Sequence, residues 1–123
     1  MTIMDVIDRI DTLKPNGYLQ RQKILWLSNL DLRIKEKIIN AHEGSEEIVF
    51  TGYTETTPLD TTLLIQAPYD EVYLYWLEAQ IDYWNGEIAK YNNSIEMFNT
   101  AYTALENHYN RTHMPKGKKF RFF

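Results

Sequence analysis

The 123-residue chain contains no cysteine. That excludes disulfide bridges, thiolate nucleophiles and thiolate zinc sites, and it fits a reducing compartment. Glycine is sparse: Gly17, Gly44, Gly52, Gly86 and Gly117 never cluster, so there is no glycine-rich loop to cradle phosphates. No apolar run approaches the ~18 residues that a membrane-spanning helix needs, and no membrane role is expected. The opening stretch MTIMDVIDRIDTL carries Asp5, Asp8 and Asp11 where a secretory signal would have a basic start and an apolar run. Neither a Gly-x-Ser-x-Gly elbow nor a His-Glu-x-x-His helix occurs.

The remaining candidates for chemistry are thin. His108 and His113 are five residues apart and would diverge on one helix, unlike the i, i+4 pair of a zinc helix. Glu78 and Asp82 share a helical face, but they could hold a cation only if a second helix supplied more oxygen ligands. The expectation is a protein that binds other chains, with no enzyme activity, no metal and no cofactor.

Positive charge is scarce except at one end. The formal net charge is −4, yet Lys116, Lys118, Lys119 and Arg121 fall within the last eight residues. Without them nine basic residues face seventeen acidic ones, a balance of −8. Such a body repels nucleic acid, so any phosphate contact would fall to the tail.

What the chain does have is apolar residues at helical spacing. Thr2 and Asp5 form a capping-box pattern ahead of Ile3, Val6, Ile7, Ile10 and Leu13, predicting a first helix that must stop by Lys14-Pro15-Asn16-Gly17. From Leu19 to His42, the positions Ile24, Leu27, Leu30, Ile34, Ile38 and Ala41 predict a second helix, with Trp26 and Leu32 widening its stripe. The segment at about 46–67 differs. Its β-prone runs Ile48-Val49-Phe50 and Leu63-Leu64-Ile65 suggest an irregular β-hairpin or a long loop, with Phe50 and Tyr53 as candidate partner-binding residues.

Pro68, with Asp70 and Glu71 after it, suits the start of the next helix. Then Leu74, Leu77, Ile81, Trp84, Ile88, Tyr91, Ile95, Phe98, Tyr102, Leu105 and Tyr109 alternate steps of three and four over five heptads. Gly86 and Asn92-Asn93-Ser94 weaken this seam, but its unbroken phase favours one continuous or gently kinked helix over two. Such a helix would be ~60 Å long, more than the rest of a short chain can cover. Leu77, Ile81, Trp84, Ile88, Tyr91, Ile95, Phe98 and Tyr102 are therefore candidate interface residues. Beyond Met114-Pro115 lies a basic aromatic tail in which Lys118, Lys119, Phe120, Arg121, Phe122 and Phe123 are candidates for docking on a partner. The whole chain reads as a single mainly α domain, a helical bundle with one long C-terminal helix.

The stretches DRIDTLKPNGY, KILWLSNLDLRI, FTGY and APYDEVYLYWLEAQIDYWNGEIAKYNNSIEMFNTAYTALENHYNRTHMPKG, spanning almost the whole chain, resemble the head-to-tail connector, or head-completion adaptor, proteins of tailed phages and prophages. The resemblance implies a helical adaptor forming a ring homo-oligomer of about twelve subunits. It also implies binding to the phage portal protein and to the next neck or tail-completion protein, with transient, non-specific DNA contact in the channel. The implied location is the neck of the virion, after assembly in the host bacterial cytoplasm. Two other readings fit the residues: a small helical nucleic-acid-binding or regulatory protein, and a coiled-coil scaffold or tail-assembly factor.

Overall fold

The computed structural model describes residues 1–116. The tail candidates Lys118, Lys119, Phe120, Arg121, Phe122 and Phe123 lie outside the described residues.

The first helix, α1 (Ile3–Leu13), starts at the expected cap. The Asp5 N–H donates to Thr2 Oγ1 at 3.1 Å, and Asp5 Oδ2 accepts the Thr2 N–H at 3.0 Å. Hydrogen bonding from the Thr2 backbone N–H, and then from the Thr2 side chain, holds the Asp5 carboxyl below its usual pKa. The predicted stripe Ile3, Val6, Ile7 and Ile10 is buried, while Leu13 stays exposed.

Helix α2 (Gln20–Lys37) ends earlier than its periodicity suggests. The chain leaves the helix at Ile38 and closes with a 3-10 turn, Ile39–Ala41. Ile24, Leu27, Leu30, Ile34 and Ile38 are buried, as is Trp26. Leu32 does not widen the stripe, because it faces solvent. The same helix buries Lys23, Ser28 and Asp31.

The 46–67 segment is a long loop and not a hairpin; among the described residues there is no β-strand, only isolated bridges at Thr2–Thr62 and His42–Pro115. The two β-prone runs do not pair with each other: the Ile48 N–H turns back to the Ser45 carbonyl at 3.1 Å, and the second run bonds to the helices and their flanks. Leu63 N–H donates to the Met1 carbonyl at 3.0 Å, and Ile3 and Met4 N–H donate to the Thr61 and Leu59 carbonyls at 3.0 Å each. The Ile3 and Met4 bonds use donors that every helix start leaves free. The Tyr53, Leu64 and Ile65 N–H groups go to side chains of the bundle.

After the cis Ala67–Pro68 bond, a 3-10 turn (Tyr69–Glu71) leads into α3 (Val72–Trp84), and α4 (Ile88–Thr112) follows. The long C-terminal helix is thus present, but the seam is not one helix. The chain reverses at Asn85-Gly86-Glu87, where Gly86 has φ +74°, a left-handed conformation that favours glycine. Asn85 N–H still caps onto the Ile81 carbonyl at 2.9 Å, and Glu87 N–H onto that of Asp82 at 3.0 Å.

Helices α3 and α4 therefore run antiparallel. Tyr83 meets Tyr91, Trp76 meets Phe98, and Tyr69 stacks on His108 at centroid distances of 5.5, 5.0 and 4.3 Å. The seam keeps its phase across the break because both halves face one core. Leu77, Ile81, Phe98 and Tyr102 are accordingly buried within the chain and are not free interface residues.

Candidate protein-interaction surface

Two buried carboxylates hold the bundle in register. Asp31 on α2 receives three donors. Tyr73 OH reaches Oδ1 at 2.7 Å, while Tyr53 OH and the Leu64 N–H reach Oδ2 at 2.5 and 3.3 Å. Tyr73 OH in turn accepts the Ile65 N–H at 2.8 Å. Burial raises the Asp31 pKa, against the pull of these three hydrogen bonds. It also raises the pKa of both phenols, helped by the neighbouring Asp31 charge. Asp31, Tyr53 and Tyr73 thus tie α2, the loop and α3 together. Tyr53 is 8% exposed, so it is a structural residue and not the loop's partner-binding one; Phe50 is half-buried against it at 4.8 Å.

Asp82 on α3 is fully buried. Lys14 Nζ, from the end of α1, donates to its Oδ1 at 2.5 Å, and Ser94 Oγ, from α4, donates to its Oδ2 at 2.6 Å. Where a cation site on Glu78 and Asp82 would need further oxygen ligands, α1 supplies an ammonium group. Burial raises the Glu78 pKa; the Asp82 charge adds to this and Lys14 opposes it. Among the described residues no group of three or more His, Asp and Glu side chains is placed to hold a metal ion.

The histidines are spoken for by packing. The His42 ring bonds the Ile38 carbonyl at 2.6 Å and the Asn110 side chain at 2.8 Å, and its edge meets Tyr109. His113 stacks on Tyr109 at 3.9 Å. This end of the bundle is strapped further by the Glu43 N–H to the Met114 carbonyl and the Lys116 N–H to the Ala41 carbonyl, at 2.7 and 2.9 Å.

The opposite end is different. Trp84 is 60% exposed, Ile88 63% and Tyr83 53%, all at the α3–α4 reversal. Trp84 and Ile88 continue the seam to this end of the bundle, and Tyr83 lies beside them. The α1–α2 connection lies at the same end, joined through Lys14 to Asp82 and through the Tyr18 OH to Asn85 Oδ1 at 2.8 Å. It adds the exposed side chains Leu13 and Leu19.

Of the predicted interface residues, then, Trp84 and Ile88 are open to solvent. Tyr91 and Ile95 are half-buried, and Leu77, Ile81, Phe98 and Tyr102 are enclosed. Beside Trp84 is a cleft of about 180 Å³ lined by Tyr18, Gln22, Trp26 and Trp84. Sequence reasoning missed Tyr18 and Gln22 as site residues, since each sits at or near a helix start with no periodic mark. Asp31 was missed as well, although it lies four residues after Leu27 and three before Ile34, on the stripe itself.

Comparison of the chain with protein-family models, with curated proteins and with solved structures gives no match. Among the described residues no helix is long and apolar enough to cross a membrane.

Proposed function

We propose that this chain is a structural adaptor of a tailed-phage neck, which assembles as a ring, binds the portal protein and lines part of the DNA channel between head and tail. The observation that carries the reading is the apolar tip. Trp84, Ile88 and Tyr83 remain in water on a chain that buries or half-buries the rest of its seam. Large apolar side chains gathered on an exposed surface mark sites of association, and tryptophan and tyrosine dominate the energetics of such sites. The resemblance to connector proteins supplies the partners: copies of the chain, the portal and the next neck or tail-completion protein. The acidic balance outside the tail suits a channel through which DNA must slide, because few cations are available to grip phosphates.

Negative-stain imaging of the purified chain, alone and with a cognate portal protein, tests the proposal. Rings coaxial with the portal are the expected result. A chain that neither forms rings nor binds the portal contradicts it.

A further inference from the structure

Three aromatic rings and one amide line the cleft beside Trp84. Tyr18 meets Trp26 edge-on at 5.4 Å, and its hydroxyl is fixed by Asn85. Trp26 is buried and supplies a rigid wall; its carbonyl is itself fixed by the Trp76 indole N–H at 2.8 Å. Trp84 forms the open side. At about 180 Å³ the cleft is smaller than sites for drug-sized ligands, which begin near ~300 Å³, and it suits a single large side chain. Aromatic walls without a charged residue favour a weakly hydrated cation, which the ring faces attract. Arginine fits this better than lysine, because its planar guanidinium stacks on rings and sheds water more readily. The chain uses the same chemistry internally, where the Arg33 guanidinium lies 4.8 Å from the Tyr102 ring centroid.

We infer that the cleft of Tyr18, Trp26 and Trp84 receives Arg121, with its flanking phenylalanines, from a second copy of this chain. Charge and reach both point to a neighbouring copy. The tail segment is basic and aromatic, whereas the remainder of the chain is acidic. The tail follows Lys116, which is bonded to Ala41 at the end of the bundle away from the cleft. Helix α4 separates the two ends, and its 25 residues span ~37 Å. Arg121 lies five residues beyond Lys116 and reaches at most ~18 Å from it. The Arg121 backbone of a copy therefore stops short of that copy's own cleft, whereas a neighbouring copy placed head-to-tail can present it there. Donor and acceptor surfaces sit at opposite ends, so the contact is head-to-tail, the type that closes into rings or continues into filaments. The inference rests on the tip being an assembly surface and names what occupies it.

Two full-length variants test it by light scattering. Trp84→Ala keeps the tail and loses the cleft wall; Arg121→Gln with Phe122→Ala keeps the cleft and loses the ligand. Each alone should self-associate at least about tenfold more weakly than the unaltered chain. Mixed in equal amounts, they should form heterodimers and nothing larger, since only one productive contact remains. As a check that does not rely on a cleft variant folding, the synthetic peptide KGKKFRFF should bind the full chain, change its tryptophan fluorescence and inhibit its self-association. Unchanged self-association of either variant, no association in the mixture, or a peptide without effect overturns the inference. Rings that persist in the tail variant but are lost in the cleft variant would overturn the tail as the occupant while leaving the proposed function standing. Absence of rings, of portal binding and of peptide binding in the unaltered chain would remove both.

Discussion

The Tyr73 hydroxyl joins Asp31 to Ile65: it donates to the Asp31 carboxylate at 2.7 Å and accepts the Ile65 backbone N–H at 2.8 Å. One phenol on α3 thereby fixes both α2 and the 46–67 loop. Tyr73→Phe leaves a buried N–H without its partner and takes a donor from a buried carboxylate. It should cost about 2–4 kcal/mol of stability. Tyr53→Phe removes only a donor and should cost less, about 1–3 kcal/mol. Urea denaturation with an unchanged m-value checks both magnitude and order; equal or negligible losses would contradict the linking role.

Stability should also report the Asp31 environment through pH. Its pKa in the folded chain is raised above the ordinary 3.8 by burial, so the folded state holds the proton more tightly than the unfolded one. The stabilising contribution is then complete below the ordinary value and is lost as pH rises through the raised one. The stability difference between the unaltered chain and Asp31→Asn should shrink across that window. Urea midpoints measured in steps upward from about pH 3.5 test the sign, and a difference that grows with pH would contradict it.

Glycine substitutions separate the loop from the helix reversal. Gly86 has φ +74° and open space where a Cβ would be, so Gly86→Ala should cost only the conformational term, about 1 kcal/mol. Gly52 has φ +104°, and a Cβ there would lie 3.0 Å from Ser28 Oγ, the acceptor of the Tyr53 N–H. Gly52→Ala should therefore cost about 2 kcal/mol or more. Gly17→Ala, in open space, should stay within about 0.5 kcal/mol. Thermal or chemical melting of the three variants checks the ranking.

Some of this architecture is written in local sequence and some is not. The capping box of Thr2 and Asp5 and the stripe of α1 needed only residues a few positions apart, and both stand, with the exception of the exposed Leu13. The seam from Leu74 to Tyr109 reads as one continuous or gently kinked helix yet forms two, because a tight reversal at Gly86 preserves heptad phase when both arms face a common core. Between the hairpin and the long loop that the sequence leaves open at 46–67, β-propensity does not decide, because it says nothing of acceptors elsewhere. The Ile65 and Leu64 N–H groups are taken by Tyr73 and Asp31, 8 and 33 residues away in sequence. The same remoteness hid the Asp82 site, whose partners Lys14 and Ser94 lie on two other helices. For the interface, spacing alone put Trp84 and Phe98 in one class, and only the reversal of the chain separates them.

That separation gives the sharpest test of the account, by comparing Phe98→Asp with Trp84→Asp for both fold and assembly. Phe98 is 1% exposed, so a carboxylate there is buried without a partner and should unfold the chain or lower its stability by several kcal/mol. Trp84 is 60% exposed, so Trp84→Asp should retain native circular dichroism and a melting temperature within a few degrees of the original, while losing the proposed assembly on itself and on a portal protein. A folded Trp84→Asp chain that assembles as well as the original would contradict the claim that the α3–α4 tip is where this protein meets its neighbours.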